Sequence, residues 1–304
     1  MSIEAGMGRL YLTVAFILAG SSVIAASFIS TYLPTFTTTF FSLIFASLTG
    51  VLFCGKNMYD TAKCLSRKTW TVILLQAIFG SFLFRVFLTT GLQYIGAAEA
   101  GIITGATPAI TALLTWIMLH EYLSLHTVIG ILITFAGVLL VQGFPFETTL
   151  ENFQPIGAIY VLCAAACESL FTTFSRKIHM DVKGNETLPP LVHAGFVSIC
   201  AMVLCLIPAL LEHPWAAIAA LPISGWIAFV WYGSIVTIVA FAFMFAGAKR
   251  CSGYTIAAFS GIIPISSTLF SVTILKESIS MYQAAGCVLV VFATLIISYQ
   301  KKAA

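Results

Sequence analysis

The amino-acid sequence predicts an all-α integral membrane protein of ten transmembrane helices, arranged as two inverted-topology repeats of five helices each. Three observations predict it: an apolar composition, ten apolar runs whose flanking basic residues gather on one side, and a set of residues that recurs at a fixed interval. Of the 304 residues, 60% are hydrophobic and 8% charged, with a mean hydropathy of +1.04. A soluble domain carries about 25% charged residues. A single helix needs roughly 20 mainly apolar residues to cross a hydrocarbon core of about 30 Å, so this length admits many crossings. The net charge of +3 gives no reason to expect nucleic acid.

The apolar runs fall at 7–30, 33–54, 69–92, 97–119, 125–143, 155–175, 189–211, 223–247, 254–275 and 281–299. The first is too long for a signal peptide and is followed by others like it. An even number of crossings returns both termini to the same side. With the termini cytoplasmic, Arg9, Lys56, Lys63, Arg67, Lys68, Arg176, Lys177, Lys183, Lys249, Arg250, Lys301 and Lys302 all lie inside. Only Lys276 falls outside and only Arg85 within a span, while Glu147, Glu151 and Glu212 face the other way. This is the positive-inside distribution. Linkers are short except at 145–154 and 179–190, so 1–304 reads as one membrane domain with repeats at 7–143 and 155–299. The 8 cysteines sit in apolar runs or short loops and imply no disulfide framework. Cys163 and Cys167 share a helix face, but no further ligand converges on them to make a metal site.

Shifting the sequence by 156 residues lays Pro264 on Pro108, Glu277 on Glu121, Ser280 on Ser124 and Gly286 on Gly130. Each repeat holds an odd number of spans, so matching helices cross in opposite directions, as in many secondary transporters. Thr104, Pro108, Thr111 and Thr115 form one narrow polar stripe at helical spacing, and Ser260, Pro264, Ser267 and Ser271 form its counterpart. Each proline denies a hydrogen bond to the carbonyl four residues earlier, that of Thr104 or Ser260. A freed carbonyl at membrane depth needs a partner, which a central cavity or a neighbouring hydroxyl could supply. Close helix contact through small residues such as Gly101 and Gly105 is the alternative reading of the stripes. Ser124 and Ser280 read as N-caps, with Ser280 and Gln283 fitting a capping box.

Arg85 and Glu168 are the only charges well inside a span, where one costs at least about 2.5–3.5 kcal/mol. Arg85 shares a face with Ser81 and Thr89; Glu168 shares one with Thr172 and Ser175; Glu99 stands near the outer end of the fourth helix. By helical rise, Arg85 lies roughly 9 Å and Glu168 roughly 16–20 Å below the outer ends of their helices. Two readings stand open: an ion pair of Arg85 with Glu168 or Glu99, or a substrate site. In the second, Arg85 receives a carboxylate and Glu168 either an ammonium or a proton. Gln76 falls on the opposite face of the third helix from Arg85 at α-helical spacing, and His193 lies toward the cytoplasmic end of the seventh.

The stretch Ala97-Ala-Glu-Ala-Gly-Ile-Ile-Thr-Gly-Ala-Thr-Pro108, a span ending in His120-Glu121, and a following helix with Gly130 and Gly137 resemble the EamA-type repeat of the drug/metabolite transporter superfamily. The second half repeats the pattern around Pro264, Lys276-Glu277 and Gly286, and the likeness covers essentially the whole chain. The resemblance implies two inverted repeats, inner termini in a prokaryotic inner or plasma membrane, and a central site. It implies export of amino acids or related small polar metabolites by alternating access, with a broad-specificity efflux pump for lipophilic cations as the alternative. The substrate-binding candidates are Arg85, Glu168, Thr104, Pro108, Thr111, Ser260, Pro264, Ser267, Glu99, Ser81 and Thr172. The expected partners are a small-molecule substrate and the lipid bilayer, with a homodimer left open. No HExxH, GxSxG or phosphate-binding GxxxxGK[ST] pattern occurs, so neither an enzyme, a cofactor nor direct ATP hydrolysis is expected.

Overall fold

The structure, a computed structural model, describes residues 3–120, 123–142, 155–181, 189–248, 250–251 and 253–298. Glu121, Glu147 and Glu151 lie outside the described residues, as do the side chains of Thr115, Ser175, Arg176 and Lys177. The described residues are helical, with no strand among them.

The helices are α1 (Ile3–Ser30), α2 (Thr35–Cys64) and α3 (Arg67–Gly91). Next come α4 in two pieces (Ala97–Thr104 and Thr107–Leu119), α5 (Leu125–Val141), α6 (Pro155–Asp181) and α7 (Pro190–Leu211). Then α8 runs through Ile223–Val230, Trp231–Val239 and Ala240–Ala248, α9 through Gly253–Ser260, Ile262–Phe270 and Ser271–Leu275, and α10 over Met281–Ser298. Among the described residues, nine helical stretches are long and apolar enough to cross a bilayer. The tenth, α5, has 17 residues, about 26 Å of rise and the short end of the workable range. The chain is a multi-pass membrane protein. Helix α2 continues well past the end of its apolar run, because Lys56, Asn57, Asp60 and Lys63 keep their helical backbone while projecting outward. Hydropathy marks the edge of the bilayer, not the end of a helix.

The bundle is built from paired helices. Helix α5 packs along α10, α2 along α7, α1 along α8 and α9, and α6 along α3 and α4, while α4 meets α9. Glycines allow the closest of these crossings. At α5–α10, a Cβ on Gly286 would stand 2.8 Å from the carbonyl oxygen of Gly137, and one on Gly137 would stand 3.2 Å from that of Gly286. The same Cβ atoms would also meet Val141 Cγ2 and, at 3.0 Å, Val290 Cγ2, so short branched side chains and backbone together crowd the crossing. Gly286→Leu is therefore expected to force α10 off α5 at a cost of about 3 kcal/mol, read as a lower melting temperature of the purified protein, with Gly286→Ala intermediate.

Both proline helices are interrupted next to the carbonyls that the prolines leave without a helical donor. Helix α4 is interrupted at Gly105–Ala106 and α9 at Gly261, each just ahead of its proline. Both end on a residue in the left-handed region, His120 at φ 53° and Lys276 at φ 60°, which turns the chain sharply into the next helix. Ser124 and Ser280 cap those next helices as predicted: Thr127 N–H donates to Ser124 Oγ at 3.2 Å, and Ser280 and Gln283 exchange bonds of 3.1 Å. Three further features have no visible sequence mark: α3 and α8 each contain a wide-turned π segment, Ala77–Leu83 and Trp231–Val239, and α9 ends in a third, Ser271–Leu275.

Candidate substrate site

Arg85 follows directly on the π segment of α3 and is 5% exposed. Its guanidinium donates to Ser42 Oγ on α2 at 2.8 Å and to Thr237 Oγ1 on α8. It lies 3.9 Å over the ring of Tyr232, a stacking that favours a desolvated cation. Among the described residues no carboxylate pairs with it. Glu168 turns instead toward α4, 3.2 Å from Thr107 Oγ1, and Glu99 accepts from Gln142 at the end of α5. Neither ion pair considered from the sequence forms.

The two charges nevertheless share a level. Gly91 lies against Gly157 and Gly80 against Phe171 along α3 and α6, which places Glu168 within about one turn of Arg85. The larger depth difference inferred from sequence assumed unbroken α-helical rise in α3 and helix ends read from hydropathy. Arg85 is directed to α2 and α8, and Glu168 to α4.

Next to Arg85, which does not itself line it, is a small, partly open pocket lined by Ser81, Thr237, Ser198, His193, Phe171 and Phe241, among others. Its volume is about 10 Å³, close to the room one water needs. A metabolite enters only if helices part. Below the cavity, His193 Nε2 and Gln76 Oε1 are 2.6 Å apart, and Gln76 is fully buried. Straight α-helical geometry places Gln76 opposite Arg85, but the π segment between them takes up about one extra residue and turns the face by roughly 100°. Gln76, Ser81 and Arg85 thus all look toward α2, α7 and α8. Two buried hydroxyls near Arg85 in the chain or against it have no partner: Thr89 Oγ1, one turn further along α3, and Tyr232 Oη. Unmet groups of this kind are exceptional in a settled interior.

The Ser/Thr/Pro stripes lie elsewhere. Ser267 is fully buried, its hydroxyl donating to the Pro264 carbonyl at 3.1 Å, and it fills the space beside Gly101. Pro264 packs against Gly105. Thr104, 5% exposed, donates back to the Gly101 carbonyl at 2.8 Å. Pro264 and Ser267 of the second stripe thus pack on Gly105 and Gly101 of α4 in the α4–α9 contact. Ser260 ends the first piece of α9, Thr111 is partly exposed, Pro108 follows the break in α4, and Thr172 donates to its own helix at the Ser169 and Glu168 carbonyls. The structure thus brings Ser81 to the Arg85 cavity and leaves the stripes, Glu99 and Thr172 apart from it. The residues that sequence reasoning missed are Ser42, Thr237 and Tyr232. Their only sequence signal is that they are polar groups in the middle of apolar spans.

A model of the EamA-like transporter family matches residues 6–142 and again 155–299. The Uncharacterized transporter YetK of Bacillus subtilis (strain 168) is 26% identical over 296 residues, which cover 96% of this chain and 86% of that protein. The Uncharacterized transporter YyaM of the same organism is 24% identical over 234 residues, covering 76% and 74%. A solved crystal structure superposes with a TM-score of 0.63 at 21% identity, covering 95% of both chains. At that identity the likeness speaks for the fold alone.

Proposed function

Because this chain belongs to the EamA-like transporter family, we propose that it is a secondary transporter that exports a small polar metabolite bearing a carboxylate, amino acids among them, with Arg85 as the group that receives it. The observation that carries this reading is the setting of Arg85. A guanidinium held, among the described residues, by two hydroxyls and a ring face keeps donors for a bidentate anion. A lipophilic cation would meet like charge there, which speaks against the efflux alternative.

The small size of the site supports alternating access. The pocket beside Arg85 has room for about one water, so a metabolite requires the surrounding helices to move. What supports two inverted repeats as the moving parts is the exchange symmetry of the helix pairs. Exchanging α1–α5 with α6–α10 turns α1–α8 into α6–α3 and α1–α9 into α6–α4, and leaves α2–α7, α4–α9 and α5–α10 as self-pairs. The breaks in α4 and α9, the left-handed residues His120 and Lys276 and the π segments of α3 and α8 exchange in the same way, whereas the π segment Ser271–Leu275 of α9 and the left-handed His213 have no such counterpart among the described residues. The segregation of Lys and Arg supports cytoplasmic termini, and relatives from Bacillus subtilis and Archaeoglobus fulgidus support a prokaryotic plasma membrane.

The test is an untargeted comparison of metabolites released by cells that make the protein and cells that do not. A class of carboxylate-bearing solutes is expected to accumulate outside producing cells. Release confined to lipophilic cations, or no difference in any solute, would overturn the proposal.

A further inference from the structure

Pro108 has no amide hydrogen, so the carbonyl of Thr104 lacks its helical partner. Thr107 Oγ1 serves it instead, donating at 2.8 Å. The same oxygen stands 3.2 Å from Oε2 of Glu168 on α6. A threonine hydroxyl owns a single hydrogen. With that hydrogen committed to the carbonyl, the contact with Glu168 is a hydrogen bond only if the carboxyl provides the hydrogen. Ser169, next along α6, places its hydroxyl 3.0 Å from the Thr107 carbonyl and 2.8 Å from the Ala165 carbonyl of its own helix, so its one hydrogen is shared between them. Helix α6 therefore approaches both polar groups of the residue at the break in α4.

We propose that Glu168 is a proton-binding site whose occupancy is transmitted through Thr107 to the bend of α4. With the proton bound, three groups form a chain: the carboxylic acid donates to the Thr107 hydroxyl, and the hydroxyl donates to the Thr104 carbonyl. When the proton leaves to water, the carboxylate draws the Thr107 hydrogen to itself. The Thr104 carbonyl is then bare at membrane depth, where an unmet acceptor is costly, and α4 relieves it by changing its bend. Thr107 is a positioning residue here, linking a proton to a helix.

Among the described residues no other charge is shown to compete at that point. Helix α6 packs on α3 and α4. On α3, Arg85 is committed to Ser42 and Thr237, and Arg67 and Lys68 stand at the far start of the helix. On α4, Glu99 lies in the first turn beside Gln142, and His120 lies at the far end. On α6 itself the nearest titratable groups are the thiols of Cys163 and Cys167. The device belongs to one half only, because Ile263 stands 156 residues after Thr107 and has no hydroxyl.

The inference rests on the transporter reading for its purpose, but its test needs no solute. Protein in liposomes is followed across pH by infrared spectroscopy of the carboxylic-acid C=O band, and by the distance between labels at Ile117 on α4 and Ile159 on α6. The expected result is a band that titrates in the parent and is missing in Glu168→Gln, with the distance following the same titration. In Thr107→Val the band still titrates while the distance stops following it, and Thr107→Ser restores the link. Absence of any Glu168-dependent band, or a Thr107→Val distance that still tracks pH, overturns the proposal. Either outcome leaves the role of Arg85 to be judged separately by solute flux.

Discussion

Arg85→Met is expected to abolish solute transport while leaving the protein as stable as the parent or more so. The functional half follows from the donors that the solute loses. A hydrogen bond to a charged group contributes about 1.5–3 kcal/mol, roughly a tenfold to hundredfold loss of affinity for each one removed. The stability half follows from what Arg85 does for the fold. Keeping its charge at mid-span costs at least about 2.5–3.5 kcal/mol, against a ring contact of about 2 kcal/mol and two hydroxyl bonds. Those hydroxyls do not depend on it: Ser42 also donates to the Thr39 carbonyl at 2.8 Å and Thr237 to the Tyr232 carbonyl at 2.8 Å. Removing Arg85 therefore strands no donor, and methionine fills the space without a charge. If the guanidinium were a structural tie, the same substitution would lower the melting temperature. Arg85→Lys separates the terms further, since it keeps the charge but loses the planar fork; weaker transport with no gain in stability is expected.

Glu277→Gln is expected to destabilise the protein by about 2–3 kcal/mol and to loosen the start of α4. The left-handed turn at Lys276 directs the Glu277 carboxylate to the N-terminus of α4, where it accepts from the backbone amides of Ala97 and Ala98 at 2.9 Å each. Ser271 Oγ donates to the same carboxylate. Negative charge at a helix N-terminus is also favoured by the aligned peptide dipoles. A glutamine turns an NH₂ group toward one of those donors and removes the charge. Thermal unfolding of Glu277→Gln, Ser271→Ala and the double variant checks this. The double variant should cost less than the two singles combined, since all three groups meet at one carboxylate. The same device recurs at Glu212, which accepts from the amides of Phe36 and Thr37 at 3.1 and 2.7 Å and from the Thr37 hydroxyl at 2.8 Å. Glu212→Gln should add independently to Glu277→Gln, because the two carboxylates clamp different helices.

These two clamps show where sequence reading stops. Glu277 reads as a helix-end residue near the cap of the next helix, and that cap is real, yet its carboxylate serves a helix about 180 residues earlier in the chain. Nothing local announces such a contact. What hydropathy and prolines decide locally was legible: the ten apolar helices, the carbonyls that Pro108 and Pro264 leave without a helical donor, and the caps at Ser124 and Ser280. Arg85 and Glu168 were legible as anomalies, because a mid-span charge is costly wherever it points. Their partners were not, since those depend on how α2, α8 and α4 lie against α3 and α6. The π segments account for the placing of Gln76. A face drawn at constant helical pitch is carried across α3 unbroken, whereas the inserted turn rotates Gln76 toward His193 and the cavity. The polar stripes stayed ambiguous for a different reason: hydroxyls at helical spacing suit a cavity wall and a glycine-backed helix contact equally well, and in this structure Pro264 and Ser267 lie against glycines of α4.

The central claim is that Arg85 is present for the solute and not for the fold. It is tested most directly by measuring the thermal stability of purified parent protein and Arg85→Met against a panel of carboxylates, amino acids and lipophilic cations. A ligand that binds the folded state raises its stability in proportion to the logarithm of its concentration over its dissociation constant. The expected result is that at least one carboxylate-bearing solute stabilises the parent and none stabilises Arg85→Met, whose own melting temperature is no lower than the parent's. Equal stabilisation of both proteins by the same carboxylate, or an Arg85→Met protein that melts lower and binds normally, would contradict it.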